Sequence, residues 1–244
     1  MANPAYAGTG ASYLPQSTIK FNALTARLEK RMSDGLEFNV NFEWSRQLGT
    51  TEQLNPGILW YGETSSDFPV RLAVTPIYEL PFGRGRQFMN HAGRPVDIAL
   101  GGWKVSSEYQ YLSGAPDSWG DVYYTGNFHD FNNHPHDTAG PSFNTANFNK
   151  VSADQPGSWN YRTFPGYLLR SVPTNNFNFS ALKDFVIWER MILQFRTFRT
   201  DAFNALNHAQ LKAPNLSPTS SSFGYITSQA NASRNLAGGL HLRF

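Results

Sequence analysis

The sequence contains no cysteine. This absence excludes a disulfide scaffold, a thiolate-bound metal and a cysteine nucleophile. Charged residues are also scarce, at 16% of the chain, and the formal net charge is only +2. So small an imbalance creates neither a basic field for nucleic acid nor an acidic tail. We therefore expect no nucleic-acid partner.

Long apolar runs are missing as well. No run approaches the roughly 18 apolar residues of a membrane-spanning helix, and residues 1 to 6, MANPAY, have neither the basic nor the apolar region of a signal peptide. If the protein meets a membrane, it does so through strands. We expect its export signal to lie outside this sequence.

Aromatic side chains, by contrast, are abundant. The chain has 19 Phe, 11 Tyr and 6 Trp, which together make 15% of its residues. Membrane β-barrels carry rings of aromatic residues at both interfaces with water, and such rings would use this excess. The composition therefore favours a membrane barrel over an ordinary enzyme.

The last nine residues, LAGGLHLRF at 236 to 244, have the period-two pattern of a strand with one apolar face. Leu240, Leu242 and Phe244 lie on that face, and His241 and Arg243 lie on the other. Bacterial outer-membrane barrels present a last strand of this kind to the assembly machinery. We predict that Leu240, Leu242 and Phe244 form a barrel-assembly terminal strand.

The same alternation recurs in six earlier segments. The first two are joined by a tight Ser-Asp-Gly turn at residues 33 to 35, and each reaches about ten residues, the length that crosses a bilayer at a tilt. Residues 1 to 17 are rich in Gly, Pro, Ser and Ala and are predicted to be a loop remnant. The remainder, 18 to 244, is predicted to be a partial outer-membrane β-barrel. Its strands are expected at about residues 20–32, 35–46, 70–81, 101–113, 175–187, 191–204 and 235–244.

The connections between these strands alternate in length. Outer-membrane barrels have short periplasmic turns and long extracellular loops, so the alternation predicts a periplasmic C-terminus. A soluble, aromatic-rich β-sandwich that binds carbohydrate also has one apolar face per strand and is the alternative. The connections are short at 33–35, long at 46–69, medium at 81–100, long at 114–174, short at 188–190 and long at 207–233.

The strand count predicts an open sheet. Bacterial single-chain barrels have an even number of strands, whereas we count about seven in an all-β antiparallel meander. We expect the strands that contain Leu24 and Leu240 to be the two edges. The sequence leaves open whether the chain is a gene fragment, has a mis-assigned start or is a genuine short protein.

Three groups of residues have the composition of catalytic or binding sites, and each also has a structural interpretation that we favour. His129, Asp130, His134, His136 and Asp137 could ligate a metal, but they lie in a polar loop where such clusters arise by chance. Gly83-Arg84-Gly85 lacks the third glycine and the following helix of a nucleotide-binding loop, so it is predicted to be a turn.

Glu29 and Glu43 form the third group, since two carboxylates on facing strands could act as a glycosidase pair. We favour polar-face charges balanced by Arg27 and Arg31. The sequence thus predicts no enzyme, with no catalytic residue, no metal ligand and no cofactor. The aromatic- and Asn-rich loop 114 to 174 could be the rim of a ligand-binding surface or a shield over the barrel mouth.

Several stretches resemble the C-terminal part of Oar-like TonB-dependent outer-membrane transporters, a family whose members often carry a carboxypeptidase-regulatory-like domain. They are residues 13 to 44 (in particular FNALTARLEKR at 21 to 31), YELPFGRGR at 78 to 86, GGW at 101 to 103, LSGAP at 112 to 116, LQFR at 193 to 196 and FNALNH at 203 to 208. The stretches follow the order of the family and cover nearly the whole chain. The stretch from Arg196 to Asp201 departs from the family pattern by a two-residue insertion, which preserves strand facing.

This resemblance implies a segment of a 22-stranded barrel that surrounds a plug domain. The expected partners are outer-membrane lipid, the barrel-assembly machinery, and the remaining strands and plug of the parent transporter. TonB would act only through an N-terminal part that this sequence does not include. The implied function is a structural wall and loop rim for substrate uptake, not competent for transport alone, in a Gram-negative outer membrane.

Overall fold

A computed structural model of the chain describes residues 18–52, 59–117, 119, 122–131, 138–152, 169–188, 191–198, 209–231 and 237–244. Eight strands lie in this part of the chain, with one short helix, α1 (Arg94–Leu100). The strands are β1 (Ile19–Ser33), β2 (Leu36–Glu52), β3 (Leu59–Glu63), β4 (Val70–Glu79), β5 (Trp103–Leu112), β6 (Thr174–Trp188), β7 (Met191–Phe198) and β8 (Ala237–Arg243).

The strands form one antiparallel sheet in the order β1-β2-β4-β5-β6-β7-β8, and β3 extends the sheet by pairing with the end of β2. The predicted all-β antiparallel meander is confirmed. The sheet is open, with β1 and β8 at its edges. A sandwich would need two facing sheets, whereas the described strands belong to a single one.

The first hairpin shows why the chain reverses where it does. Asp34 and Gly35 both have a positive φ, at 52° and 77°. Two consecutive positive φ angles define the type I′ turn, whose twist matches that of the flanking strands, and Asp-Gly is among the pairs that adopt it most readily. β1 and β2 then run side by side from Ser33 opposite Leu36 to Ile19 opposite Gly49.

The register separates the side chains into an apolar and a polar face. One row across five strands contains Leu28, Val40, Val74, Tyr109 and Phe177, which are neighbours in the pairings β1-β2, β2-β4, β4-β5 and β5-β6. The adjacent row is offset by one residue and therefore points to the opposite side of the sheet. It contains Arg27, Asn41, Ala73, Gln110 and Asn176.

Three features differ from the sequence predictions. The segment 46 to 69, expected to be a loop, continues β2 to Glu52 and adds β3. The helix α1 lies in the connection 81 to 100, where no helix was expected. Pairing between β4 and β5 is interrupted at Thr75 and Pro76 and resumes in the same register, because proline has no N–H to donate to the ladder.

The buried core lies outside the sheet. The tightly buried hydrophobic side chains belong to the connections after β5 and β7, and they are Trp119, Val122, Phe131, Phe143, Phe148, Leu169 and Phe223. The expectation that the aromatic excess serves membrane-interface rings is therefore wrong for these five aromatic residues. No helix among the described residues is long and apolar enough to span a membrane.

Candidate functional site

The polar face of the sheet carries a groove of about 660 Å³ across β1, β2, β4 and β5. Most of its lining side chains come from the polar rows, because alternate residues of each strand point to the same side. These polar-face residues are Thr25, Arg27, Asn41, Glu43, Arg71, Ala73, Gln110, Leu112 and Thr174. The groove therefore presents cations, a carboxylate and amides beside apolar surface.

Charges in and beside the groove are paired. Arg71 Nε lies 3.6 Å from Glu43 Oε1, and Arg27 lies 3.0 Å from Glu29 Oε2. Both pairs are partly exposed, and exposed pairs of this kind contribute about 0 to 1 kcal/mol. The two pairs therefore place compensated charge on this face of the sheet.

Amide and carboxylate side chains form a ladder on the same face. Asn41 donates to Asn39 at 3.0 Å, and Asn178 donates to Glu108 at 3.4 Å. Gln110 also donates to Glu108. The ladder follows from the register, which puts Glu108 directly opposite Asn178.

One end of the sheet, the loop rim, carries the three long connections: 46–69, 113–173 and 209–231. Four charged residues join two of them. Arg170 donates to Glu63 and to Asp67, in both cases at 2.6 Å, and Arg46 pairs with the same two carboxylates. Asp67 is fully buried. A buried carboxylate is costly unless it is paired, so this network holds the connection that contains Arg170 against the β2–β3 hairpin.

The described parts of 113–173 and 209–231, together the loop cluster, share an aromatic core. Trp119 stacks on Phe148 with ring centroids 5.5 Å apart, and Phe143 meets Phe223 edge to face at 5.3 Å. Because Phe223 belongs to the connection after β7, these contacts join the two long connections. At the upper end of the groove, Gln210 donates to Thr174 at 2.7 Å. The loop cluster is thus folded and bonded to the polar face.

Asp117 is the buried acid of the loop cluster. It is 8% exposed, and its Oδ2 has no hydrogen-bond partner among the described residues. Burial raises the pKa of this carboxyl to about 6 from an ordinary value of 3.8. Asp117 therefore gains or loses its proton close to neutral pH.

The structure separates the two glutamates considered as a catalytic pair. In the β1–β2 register, Glu29 is opposite Asn39 and Glu43 is opposite Thr25. The two glutamates are therefore four register positions apart, which corresponds to about 14 Å between Cα atoms, and do not face each other across the strand pair. Arg27 pairs with Glu29 as expected, but Glu43 pairs with Arg71 rather than with Arg27 or Arg31.

The histidine cluster is only partly described. His129 and Asp130 are exposed and lie in a single helical turn, Phe128–Asp130. His134, His136 and Asp137 lie outside the described residues. Within the described ranges, no group of three or more His, Asp or Glu side chains could hold a metal.

The predicted turn at Gly83-Arg84-Gly85 is a turn. Both glycines have a positive φ, at 115° and 72°. The Arg84 amide donates to Asp97 Oδ1 at 2.7 Å, so it binds a side chain of α1.

The terminal strand lies at the edge of the sheet. Leu240 is opposite Phe195 and Leu242 is opposite Leu193, both on the apolar face. Phe244 follows the last paired residue and is 97% exposed. Its proposed role in assembly stays a prediction.

Sequence reasoning missed the four-residue charge network and the aromatic loop core. Arg170 is 107 residues from Glu63 and 103 from Asp67, and all three belong to segments without periodicity. One signal could have predicted the aromatic core: residues 119 to 148 are rich in aromatic side chains, which are uncommon in a loop that is fully exposed to solvent.

A family model described as outer membrane beta barrel domain matches residues 2–237. Comparisons with curated proteins and with solved structures gave no match. The match covers nearly the whole chain, and a sheet with one apolar and one polar face is the architecture that such a domain needs. The protein is thus an outer-membrane protein whose apolar face meets lipid. The chain belongs to the outer membrane beta barrel domain family.

Proposed function

We propose that the chain is the C-terminal wall and loop rim of an Oar-like TonB-dependent outer-membrane receptor that takes up a polar solute. Support comes from the ordered stretches that resemble these transporters, FNALTARLEKR at 21 to 31 and YELPFGRGR at 78 to 86 among them. Membership of the barrel family agrees with this proposal.

The observation that carries the proposal is the folded loop cluster beside a polar groove. Ordering a loop costs roughly 1 to 2 kcal/mol per residue in backbone entropy, so a loop that only shields a pore need not be ordered. Here the aromatic core and the Arg170 network hold the loops in one arrangement. A fixed, polar rim next to a wall of amides and paired charges suits recognition of a solute on its way in.

The orientation of the sheet in the membrane follows from the different lengths of the connections at its two ends. In outer-membrane barrels the long loops are extracellular and the short turns are periplasmic. The loop rim would then face the outside. The opposite end, the turn rim, with the Asp34-Gly35 turn and Phe244, would lie in the periplasm.

The two edge strands, β1 and β8, require further strands as pairing partners. The seven strands β1, β2, β4, β5, β6, β7 and β8 alternate in direction, so β1 and β8 run the same way. They cannot close an antiparallel barrel with each other, and each unpaired backbone group in lipid costs several kcal/mol. In the proposal both edges pair with further strands of the parent transporter. The plug would fill the barrel, and TonB would act through the plug-bearing part.

Genomic sequence upstream of the Met1 codon tests the identity. The proposal expects an open reading frame continuous with this one that encodes a plug domain and a signal peptide. A stop codon in the same frame directly upstream, behind a working promoter, would contradict it.

Labelling of whole cells tests the orientation. Because residues 1–244 contain no cysteine, Ser228→Cys in the loop cluster and Ser33→Cys at the turn rim each place the sole thiol of these residues on an exposed position. A membrane-impermeant maleimide should label the first in intact cells and the second only after the outer membrane is opened. The reverse pattern would overturn the orientation.

A further inference from the structure

The connection between β4 and β5, residues 80–102, folds onto the apolar face of the sheet. We call it the turn-rim connection. The Trp103 indole N–H donates to the Ala99 carbonyl at 2.9 Å, and the Lys183 ammonium donates to the Gly101 carbonyl. Trp103 and Lys183 are register partners between β5 and β6 and share the apolar face with Phe195. The C-terminal end of α1 therefore lies on the lipid side of the sheet, not over the groove.

The burial of Lys183 suits a position near the membrane interface. It is 2% exposed, and its ammonium lies 5.5 Å from the Trp103 ring centre and 5.2 Å from that of Phe185. A lysine on the lipid face is costly near the bilayer midplane and tolerated near its boundary. The Gly101 carbonyl accepts a hydrogen bond from the Lys183 ammonium, which acyl chains cannot do.

Internal hydrogen bonds fix the shape of the turn-rim connection. Gly83 N donates to Phe88 O at 3.0 Å, and Phe88 N donates to Pro81 O at 2.9 Å. Arg84 N is bound by the Asp97 carboxylate. The segment consequently displays its other side chains in one defined arrangement.

Those side chains are apolar and uncovered. The helix α1 has no buried residue, and Val96, Ile98 and Leu100 are 41%, 51% and 50% exposed. Phe82 and Phe88, whose ring centres are 5.7 Å apart, are exposed as well. A helix whose apolar side chains stay in water gains no free energy from burying them. Exposed apolar surface of this kind therefore marks a site of contact with another molecule or with lipid.

Basic residues flank this apolar surface. The turn-rim connection contains three arginines, Arg84, Arg86 and Arg94, all exposed, and one acidic residue, Asp97. Arg86 also pairs with Glu79 at 3.1 Å. Apolar side chains beside surplus positive charge complement a lipid surface, which offers acyl chains next to anionic phosphates.

We propose that the turn-rim connection is a membrane-interface anchor: Val96 and Leu100, which lie one turn apart on the same side of α1, enter the acyl boundary of the adjacent leaflet, and the arginines bind anionic phospholipid headgroups. The occupant is the lipid surface, because the anchor continues the lipid-facing side of β5 and β6. The proposal rests on membership of the barrel family and not on transport, so uptake could fail without affecting it.

Site-specific fluorescence tests the anchor. Val96→Cys and Leu100→Cys, labelled with nitrobenzoxadiazole in isolated outer membranes, should give blue-shifted emission that phosphatidylcholine with a nitroxide high on its acyl chain quenches. Ser33→Cys, exposed at the same rim without apolar neighbours of this kind, is the control and should show aqueous emission without quenching. Labelling after assembly avoids a folding defect caused by the probe.

Two results would overturn the proposal. Aqueous emission at Val96 and Leu100 equal to that at Ser33 would mean that lipid does not cover this side of the helix. Blue-shifted emission without nitroxide quenching would mean that protein covers it instead. For the charges, adding Arg94→Glu to the Leu100→Cys protein should weaken quenching, and unchanged quenching would refute the headgroup contact.

Discussion

Replacing Val40 with arginine would put a charge on the apolar face of β2. Val40 lies between Leu28 of β1 and Val74 of β4 in the register, so the arginine would have apolar neighbours on both sides. Asn41→Arg is the matched control, because Asn41 is the next residue of the same strand and lies on the polar face between Arg27 and Ala73.

The expected magnitude follows from the depth of Val40. A strand tilted by about 40° advances roughly 2.6 Å per residue along the membrane normal. Val40 is four residues after Leu36, where β2 begins, and so lies about 10 Å from the turn rim. In an apolar band about 25 Å tall this is near the midplane, where an arginine costs about 2 to 4 kcal/mol. The control should cost under about 0.5 kcal/mol.

Urea titration of the intact parent protein, assembled in lipid vesicles, measures both costs. A loss of 2 to 4 kcal/mol lowers the folded-to-unfolded ratio by about 30-fold to 800-fold, so Val40→Arg should unfold at clearly lower urea than Asn41→Arg. Equal midpoints, or a larger loss for Asn41→Arg, would refute the assignment of the two faces.

Three further predictions concern the terminal strand and the loop cluster. Phe244→Asp should impair outer-membrane assembly of the intact parent far more than Arg243→Asp, because only Phe244 continues the apolar register; the assay is heat-modifiable gel mobility. Asp117→Asn should stabilise the loop cluster at pH 7 by at most about 3 kcal/mol, since burial raises the pKa of Asp117 to about 6. In the native protein the folded loop binds the proton more tightly than the unfolded loop, so stability should fall as pH rises from about 4 to about 6, and hydrogen exchange in the loop should report this fall. Arg170→Ala should destabilise the loop cluster by about 1 to 3 kcal/mol, because Asp67 is fully buried and loses one of its two cations; limited proteolysis should detect the loss.

Each of these predictions has a contradicting outcome. Equal assembly of the two terminal variants would make Phe244 incidental. Loop exchange that slows steadily from pH 4 to pH 6 after correction for the intrinsic rate would show that the Asp117 carboxyl is not destabilised by burial. Proteolysis of Arg170→Ala no faster than that of Arg27→Ala, which breaks only an exposed pair, would mean that the network does not hold the loops.

The sheet was largely predictable because its side chains alternate. A strand with lipid on one side and polar surface on the other must repeat every two residues, and this repeat marked the strands around Val40, Val74 and Tyr109. The Asp34-Gly35 turn was predictable for a different reason, since few residue pairs adopt two positive φ angles in a row.

Strand prediction from the sequence failed beyond the part of the sheet that has one apolar and one polar face. β3 and the end of β2 pair beyond it, and neither LWYGE at 59 to 63 nor LGTTE at 48 to 52 alternates between apolar and polar residues. Likewise the Arg170–Asp67 contact joins residues far apart in the chain, and one sequence carries no signal for such a pair. The aromatic residues were noticed, but composition alone could not assign Trp119 and Phe148 to a loop core rather than to an interface ring.

A cysteine scan along β2, at positions 38 to 43, tests most directly that this sheet is the wall of an outer-membrane barrel. The native chain has no cysteine, so each variant carries a unique thiol. In outer membranes, probes at 38, 40 and 42 should be quenched by nitroxide lipids, and thiols at 39, 41 and 43 should react with a water-soluble maleimide. Reaction of all six thiols with the maleimide, without lipid quenching at any position, would contradict the account.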